Sequence, residues 1–372
     1  MIIKHAKVFR EDGTFCERTL STEKELIVKD GEGGGQTIEA AGLYAVPGLV
    51  DIHFHGCAGK DFCDGTEDAI RQIAEYELSQ GITSICPATM TIPVDQIASI
   101  CKVAGGYRGR TGATLRGINL EGPFISPAKK GAQKEDHILA PDVGLLRQWM
   151  ELSGGLCKLV DIAPETEGAM AFIDEVKGEI HISVAHTTAD YDTASEAFRR
   201  GADHITHLYN AMPGFSHRAP GVIGAGADQE HVYAELICDG IHVHPSAIRA
   251  AFKLYGSDRI VLISDSIEAT GLSDGEYSLG GQPVTVRGNQ ARLADGTLAG
   301  SATNLMDCMR FLVRNVDIPL GTAVKCATVN PAKSIGIYET VGSLDAGKAA
   351  DILLLDEDLK IVHMIHGGDL LY

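Results

Sequence analysis

The fold class predicted by the sequence is α/β: a (β/α)8 barrel with a small β domain formed from the N- and C-terminal segments. Three observations predict it. Between Tyr44 and about Met309, eight apolar, β-branched runs alternate with amphipathic stretches. The segments outside that span carry short strand-like pieces and turn signals instead. The 372 residues accommodate a barrel of about 250 residues together with one smaller unit.

The eight strands centre on Val50, Ile85, Ile118, Val160, Val184, Ile205, Leu236 and Leu262. Between them lie segments such as T-E-D-A-I-R-Q-I-A-E-Y-E-L-S-Q-G, whose apolar spacing suits a helix closed by Gly81. Repeated strand-then-helix units predict parallel strands closing into a barrel. Residues 1–43 are expected to form the first part of the small β domain, with turns at Asp12-Gly13 and Asp30-Gly31. The barrel takes 44–335, and 336–372, with G-S-L-D-A-G-K-A-A-D-I-L-L-L, complete the small domain. Within the barrel span, residues 275–297 read as a hairpin inserted after the eighth strand, positioned to overhang the site.

Composition narrows the function. Apolar residues at 44% and charged residues at 22% are the balance of a soluble globular protein. A formal charge of −18 argues against nucleic acid, whose phosphates an acidic surface repels, yet leaves room for a small phosphorylated ligand held by a few local cations. No run approaches the roughly 20 apolar residues needed to cross a bilayer, so no membrane partner is expected. The opening M-I-I-K-H-A-K-V-F has no signal-peptide pattern, and nine cysteines without a C-x-x-C pair imply neither a disulfide framework nor a thiolate metal site. A cytoplasmic protein is expected.

Active sites of such barrels form at the C-terminal ends of the strands. Five strands end in metal-ligand residues. L-V-D-I-H-F-H-G places His53 and His55 two apart, on one side of a strand. I-N-L-E-G-P-F ends in Glu121, I-S-V-A-H-T in His186, H-I-T-H-L in His207 and V-L-I-S-D-S in Asp265. A lone histidine at a strand end is ordinarily a hydrogen-bonded structural residue, and chance H-x-H pairs occur. Coincidence of five strand ends is a different matter, and imidazoles with carboxylates are the ligands of a divalent metal, zinc or iron foremost. Cys57 and Cys63 read as small buried apolar residues, and His5, His363 and His366 as structural residues of the small domain.

V-P-G-L-V-D-I-H-F-H-G, followed far downstream by V-G-S-L-D-A-G-K-A-A-D-I-L-L-L, resembles the amidohydrolase superfamily. Within it, L-E-G-P-F-I-S-P-A-K-K-G-A-Q, H-L-Y-N-A-M, I-C-D-G-I-H-V and I-S-D-S-I-E-A-T-G-L resemble the N-acetylglucosamine-6-phosphate deacetylases, over a span from about Tyr44 to the C-terminus. The resemblance implies metal-dependent removal of an acetyl group from a small phosphorylated amino sugar. It makes Glu121, His186 and His207 the principal metal ligands and Asp265 the catalytic acid/base. Ala132, Gln133, Asn210 and Ala211 match substrate-binding positions, Arg218 and His242 sugar-phosphate contacts, and Leu298, Ala299 and Gly300 a loop over the substrate. The equivalent of Arg218 reaches into a neighbouring subunit, which implies a homodimer.

Two departures matter. Some relatives lack the H-x-H pair and hold one metal, and others keep it and hold two; His53 and His55 put this chain with the latter. Gln133 stands where some relatives have a histidine that polarises the acetyl carbonyl, so a second metal or the Gln133 amide takes that role here. An N-acetylgalactosamine-6-phosphate deacetylase, another amidohydrolase and a non-catalytic scaffold of the same fold are the competing readings.

Overall fold

In the computed structural model, which describes residues 1–372, two parallel sheets carry the predicted strands. Ile118–Leu120, Cys157–Ile162, His181–Val184, His204–Ile205, Tyr233–Ile237 and Ile260–Ile263 follow one another in a six-stranded sheet. Leu49–Asp51, Ile82–Ile85 and Thr114–Leu115 make a three-stranded one. All eight strand centres read from the sequence fall on these strands.

Backbone hydrogen bonds join the sheets at both edges. On one side the Thr89 amide donates to Asn119 O at 2.9 Å, and on the other the Asp265 amide donates to His53 O at 3.0 Å. Strands such as Ile260–Ile263 are buried along their whole length, which explains why they read as unbroken apolar runs. Helices pack outside them. In Glu67–Ser79 the Thr66 hydroxyl accepts from the Ala69 amide, and Ile70, Ile73, Ala74 and Leu78 form the buried stripe. Gly81 follows with φ +89°, a left-handed turn that glycine adopts without steric cost.

An eight-stranded sheet gathers both chain ends, in the order Asp369–Leu370, Ile361–His366, Ile352–Leu355, Tyr44–Pro47, Ile2–Phe9, Phe15–Glu23 and Leu26–Val28, with Thr37–Glu39 beside Ile2–Phe9. It has its own apolar cluster, including Ile3, Val8, Leu20, Ile352, Leu354 and Ile365. Tyr44–Pro47 pairs antiparallel with Ile352–Leu355, so these four residues, read from sequence as the start of the barrel, lie in the terminal sheet. Their apolar run continues into Leu49–Asp51, and only the pairing partner separates the two. Residues 275–297 are likewise more than a hairpin: Gly275–Leu279, Gln282–Arg287, Gln290–Arg292 and Leu298–Ser301 form a four-stranded antiparallel sheet.

Candidate active site

His53, His186, His207 and Asp265 each stand two residues beyond the end of a parallel strand, and Glu121 one residue beyond. Where the chain leaves the strand, His186, His207 and Asp265 adopt positive φ of 42°, 30° and 50°. Such backbone costs about 1–3 kcal/mol per residue outside glycine and persists where surrounding structure imposes it. Three strained residues at one mouth of the sheet therefore mark a site whose side-chain positions are held against local preference.

Glu121 is the centre of the cluster. Its Oε1 lies 3.0 Å from His186 Nε2 and 3.2 Å from His207 Nε2, and these two nitrogens are 3.1 Å apart. With metal–ligand bonds near 2.0–2.1 Å, the edge of a tetrahedral site is roughly 3.3 Å, so this triangle of donors fits a divalent ion. The other carboxylate oxygen, Oε2, is 3.2 Å from His55 Nε2, which is 3.3 Å from Asp265 Oδ1. His53, His55 and Asp265 form a second convergent donor group, with His53 Nε2 3.9 Å from Asp265 Oδ1. Buried His53 Nε2 has no hydrogen-bond partner, which also fits a ligand nitrogen.

Supporting contacts fix the rings. His186 Nδ1 bonds to the Lys129 carbonyl at 2.9 Å, and His53 Nδ1 to Glu235 Oε2 at 2.8 Å. Both leave Nε2 toward Glu121, the arrangement that sets tautomer and orientation in metal-ligating histidines. Burial opposes charge on Glu121, His53, His55 and Asp265, but attraction between opposite charges prevails. The histidines around Glu121 hold its carboxyl well below the usual range. Glu121 and Asp265 raise His55 to about 10, and Glu235 and Glu121 carry His53 well above its ordinary value. Burial likewise disfavours the Asp265 carboxylate, and His55 and His53 lower its pKa regardless.

The cluster forms the floor of a cavity of about 330 Å³. Ala132, Gln133, Asn210, Ala211, His242, Leu298 and Gly300, which the resemblance assigns to substrate, line it together with His55, Glu121, His186, His207 and Asp265. His242 Nδ1–H donates to Asp239 Oδ2 at 2.7 Å, and although burial works against its charge, Asp239 raises its pKa. Gly300, at φ +63°, is where the inserted sheet meets Asp265: a Cβ there would stand 2.9 Å from the Asp265 carbonyl oxygen.

Of the other predicted residues, Ala299 and Arg218 lie outside the cavity lining, and Gln133 has a specific partner within it. Ala299 is buried and does not line the cavity, because side chains alternate along Leu298–Ser301 and its neighbours face the opening. Arg218 is exposed, in a segment exposed from Gly214 to Ala219, and lies outside its own chain's cavity. The Gln133 amide is engaged: Nε2 donates to Glu121 Oε2 at 2.6 Å, and Oε1 accepts from the Thr91 amide at 2.6 Å. Gln133 therefore orients Glu121 with one of its two amide N–H groups, and the other lies toward Met90 Sδ at 3.6 Å.

Glu235 and Lys129 were not apparent as site residues in the sequence. Glu235 sits in the middle of Tyr233–Ile237, not at its end, and the only signal was an acidic residue inside a fully apolar run. Lys129 acts through a main-chain carbonyl, which any residue type supplies.

A family model described as "Amidohydrolase family" matches residues 44–371. The N-acetylglucosamine-6-phosphate deacetylase of Bacillus subtilis (strain 168) is 38% identical, over all of this chain and 94% of its own length. The N-acetylgalactosamine-6-phosphate deacetylase of Escherichia coli O157:H7 is 35% identical, over 87% of this chain and 86% of its own. A mutant N-acetyl-D-glucosamine-6-phosphate deacetylase from Mycobacterium smegmatis, solved in complex with N-acetyl-D-glucosamine-6-phosphate, matches with a TM-score of 0.92 at 30% identity, over 100% of this chain and 98% of that one. By sequence match over most of its length, the chain belongs to the amidohydrolase family.

Proposed function

We propose that the chain hydrolyses the acetamide of N-acetyl-D-glucosamine 6-phosphate, giving D-glucosamine 6-phosphate and acetate. The observation that carries this reading is the Glu121, His186 and His207 triangle, sized for a divalent ion, with Asp265 on the same cavity floor. Full-length similarity to enzymes of that name supports the substrate.

An amide resists hydrolysis because its carbonyl is weakly electrophilic and its amine leaves poorly. A divalent ion, when bound, supplies Lewis-acid activation of water and of the acetamide carbonyl. Glu121, His186 and His207 would hold one ion, and His53, His55 and Asp265 a second, with Glu121 presenting one oxygen to each group. Asp265 takes the proton from the attacking water and returns it to the departing nitrogen as the C–N bond breaks. His242, lining the cavity, contacts the sugar phosphate, and Leu298 and Gly300 cover the ring.

Arg218, exposed and outside its own cavity, serves the phosphate in the cavity of a second copy, which makes the working unit a homodimer. The two parallel sheets, hydrogen-bonded at both edges, form one closed (β/α)8 barrel, and the terminal sheet is its small β domain. Nine free cysteines suit a reducing, cytoplasmic setting.

The N-acetylgalactosamine 6-phosphate reading shares every catalytic group and rests on the 35% identical relative. Acetate release measured on both sugar phosphates, with metal analysis of the same samples, tests the assignment. Turnover of the gluco substrate in excess of the galacto substrate is expected. The reverse preference would replace the substrate, and no release from either, with metal bound, would overturn the activity.

A further inference from the structure

At the opposite end of the strands that lead to His186 and His207 lies a second convergence of ligand-type side chains. His181 opens His181–Val184, His204 opens His204–Ile205, and Asp203 directly precedes the latter. The strands are adjacent and parallel, with Ser183 opposite His204, so the three side chains meet at the N-terminal pole. One ligand atom from each lies within 4.8 Å of the others.

His204 is the informative member. Its residue is 0% exposed, and neither Nδ1 nor Nε2 has a hydrogen-bond partner. An imidazole stripped of water with both nitrogens unpaired is costly, because it loses hydration and regains nothing. One face of the ring is spoken for by Tyr233, whose ring stacks on it at 5.6 Å. The ring edge is not: Nδ1 lies 3.6 Å from Asp203 Oδ1, too far for a hydrogen bond but near the roughly 3.3 Å edge of a tetrahedral metal site. Asp203 Oδ2 is 2.6 Å from His181 Nδ1, and Oδ1 also accepts from the Ile182 amide at 3.2 Å. The carboxylate is thus anchored to one strand while facing a buried donor on the next.

We propose that His181, Asp203 and His204 form a further divalent-cation site of the zinc class, distinct from the active site. Two imidazoles and one carboxylate are ligands zinc accepts, and they leave one tetrahedral position for water. Access is provided by a cleft of about 330 Å³ lined by His181 and Asp203. Lys158 and Glu179 line the same cleft with opposite charges, and with one carboxylate ligand against the two of the active site this site is the weaker one. The ion would tie together the starts of the two strands whose far ends lead to His186 and His207.

The test uses the full-length protein equilibrated with Zn²⁺ alone, with bound zinc per chain measured by atomic emission and thermal unfolding followed with and without added zinc. His181→Ala removes a ligand; His181→Gln removes the ligand but keeps an amide able to hydrogen-bond Asp203. Both variants are expected to bind one zinc fewer than the parent and to lose part of the zinc-dependent rise in Tm, while acetate release stays within about twofold. Release at the parental rate also certifies that each variant is folded. Equal zinc content in the parent and both variants at saturating Zn²⁺ would overturn the site and leave a His–Asp hydrogen bond of purely structural role.

Discussion

The Glu235 carboxylate accepts from His53 Nδ1 at 2.8 Å while both side chains are fully buried. This contact fixes which nitrogen of His53 faces Glu121, and the same Glu235 oxygen is 3.3 Å from the His207 amide nitrogen. One carboxylate outside the donor groups thereby braces a residue of each.

Glu235→Gln keeps the shape but weakens the acceptor, so divalent metal should bind the His53, His55 and Asp265 group about 10- to 100-fold more weakly. Competition against a chromophoric chelator reads this directly. Unchanged affinity would reduce Glu235 to a packing residue.

The double change His53→Asn with His55→Asn addresses metal number. Bound metal should fall by one ion per subunit and turnover should drop, while the ion held by Glu121, His186 and His207 remains. If metal content and rate both persist, the H-x-H pair is structural and one ion suffices.

Arg218→Ala should spare the chemistry and impair phosphate recognition. A charge-assisted hydrogen bond is worth about 1.5–3 kcal/mol, which corresponds to about a 10- to 100-fold loss in kcat/KM on the phosphorylated substrate. An unphosphorylated acetamido sugar should show almost none of this loss. Equal losses on both substrates would remove Arg218 from the phosphate site.

A fourth prediction concerns Glu77, buried on the inner face of Glu67–Ser79 with neither carboxylate oxygen hydrogen-bonded. Burial, reinforced by nearby Asp51, raises its pKa to about 8 from the ordinary 4.5. The folded chain therefore keeps a proton on Glu77 that the unfolded chain loses above about pH 4.5. Its contribution to stability is complete below that pH, declines as pH rises toward about 8, and changes no further above it. Glu77→Gln abolishes this decline, so the variant should gain in Tm over the parent between pH 5 and pH 8, by several degrees at the upper end. A Tm difference that is flat across this range would show that Glu77 is ionised in the folded chain.

The sequence by itself determined the strand centres and most of the donor set. Parallel strands buried on both faces tend to be apolar along their length, so Ile260–Ile263 stands out from the helices beside it, and a polar residue just past such a run is conspicuous. That is why His53, His55, Glu121, His186, His207 and Asp265 were legible before any coordinates. Only the tertiary structure decided what depends on pairing and on the third dimension. Tyr44–Pro47 joins the terminal sheet because Ile352–Leu355, some three hundred residues away, supplies its partner, and no local pattern encodes that. Gln133 donates to Glu121, Arg218 lies outside its own cavity, and Glu235 reaches His53 from mid-strand, because side-chain placement follows from how elements pack and not from their order along the chain.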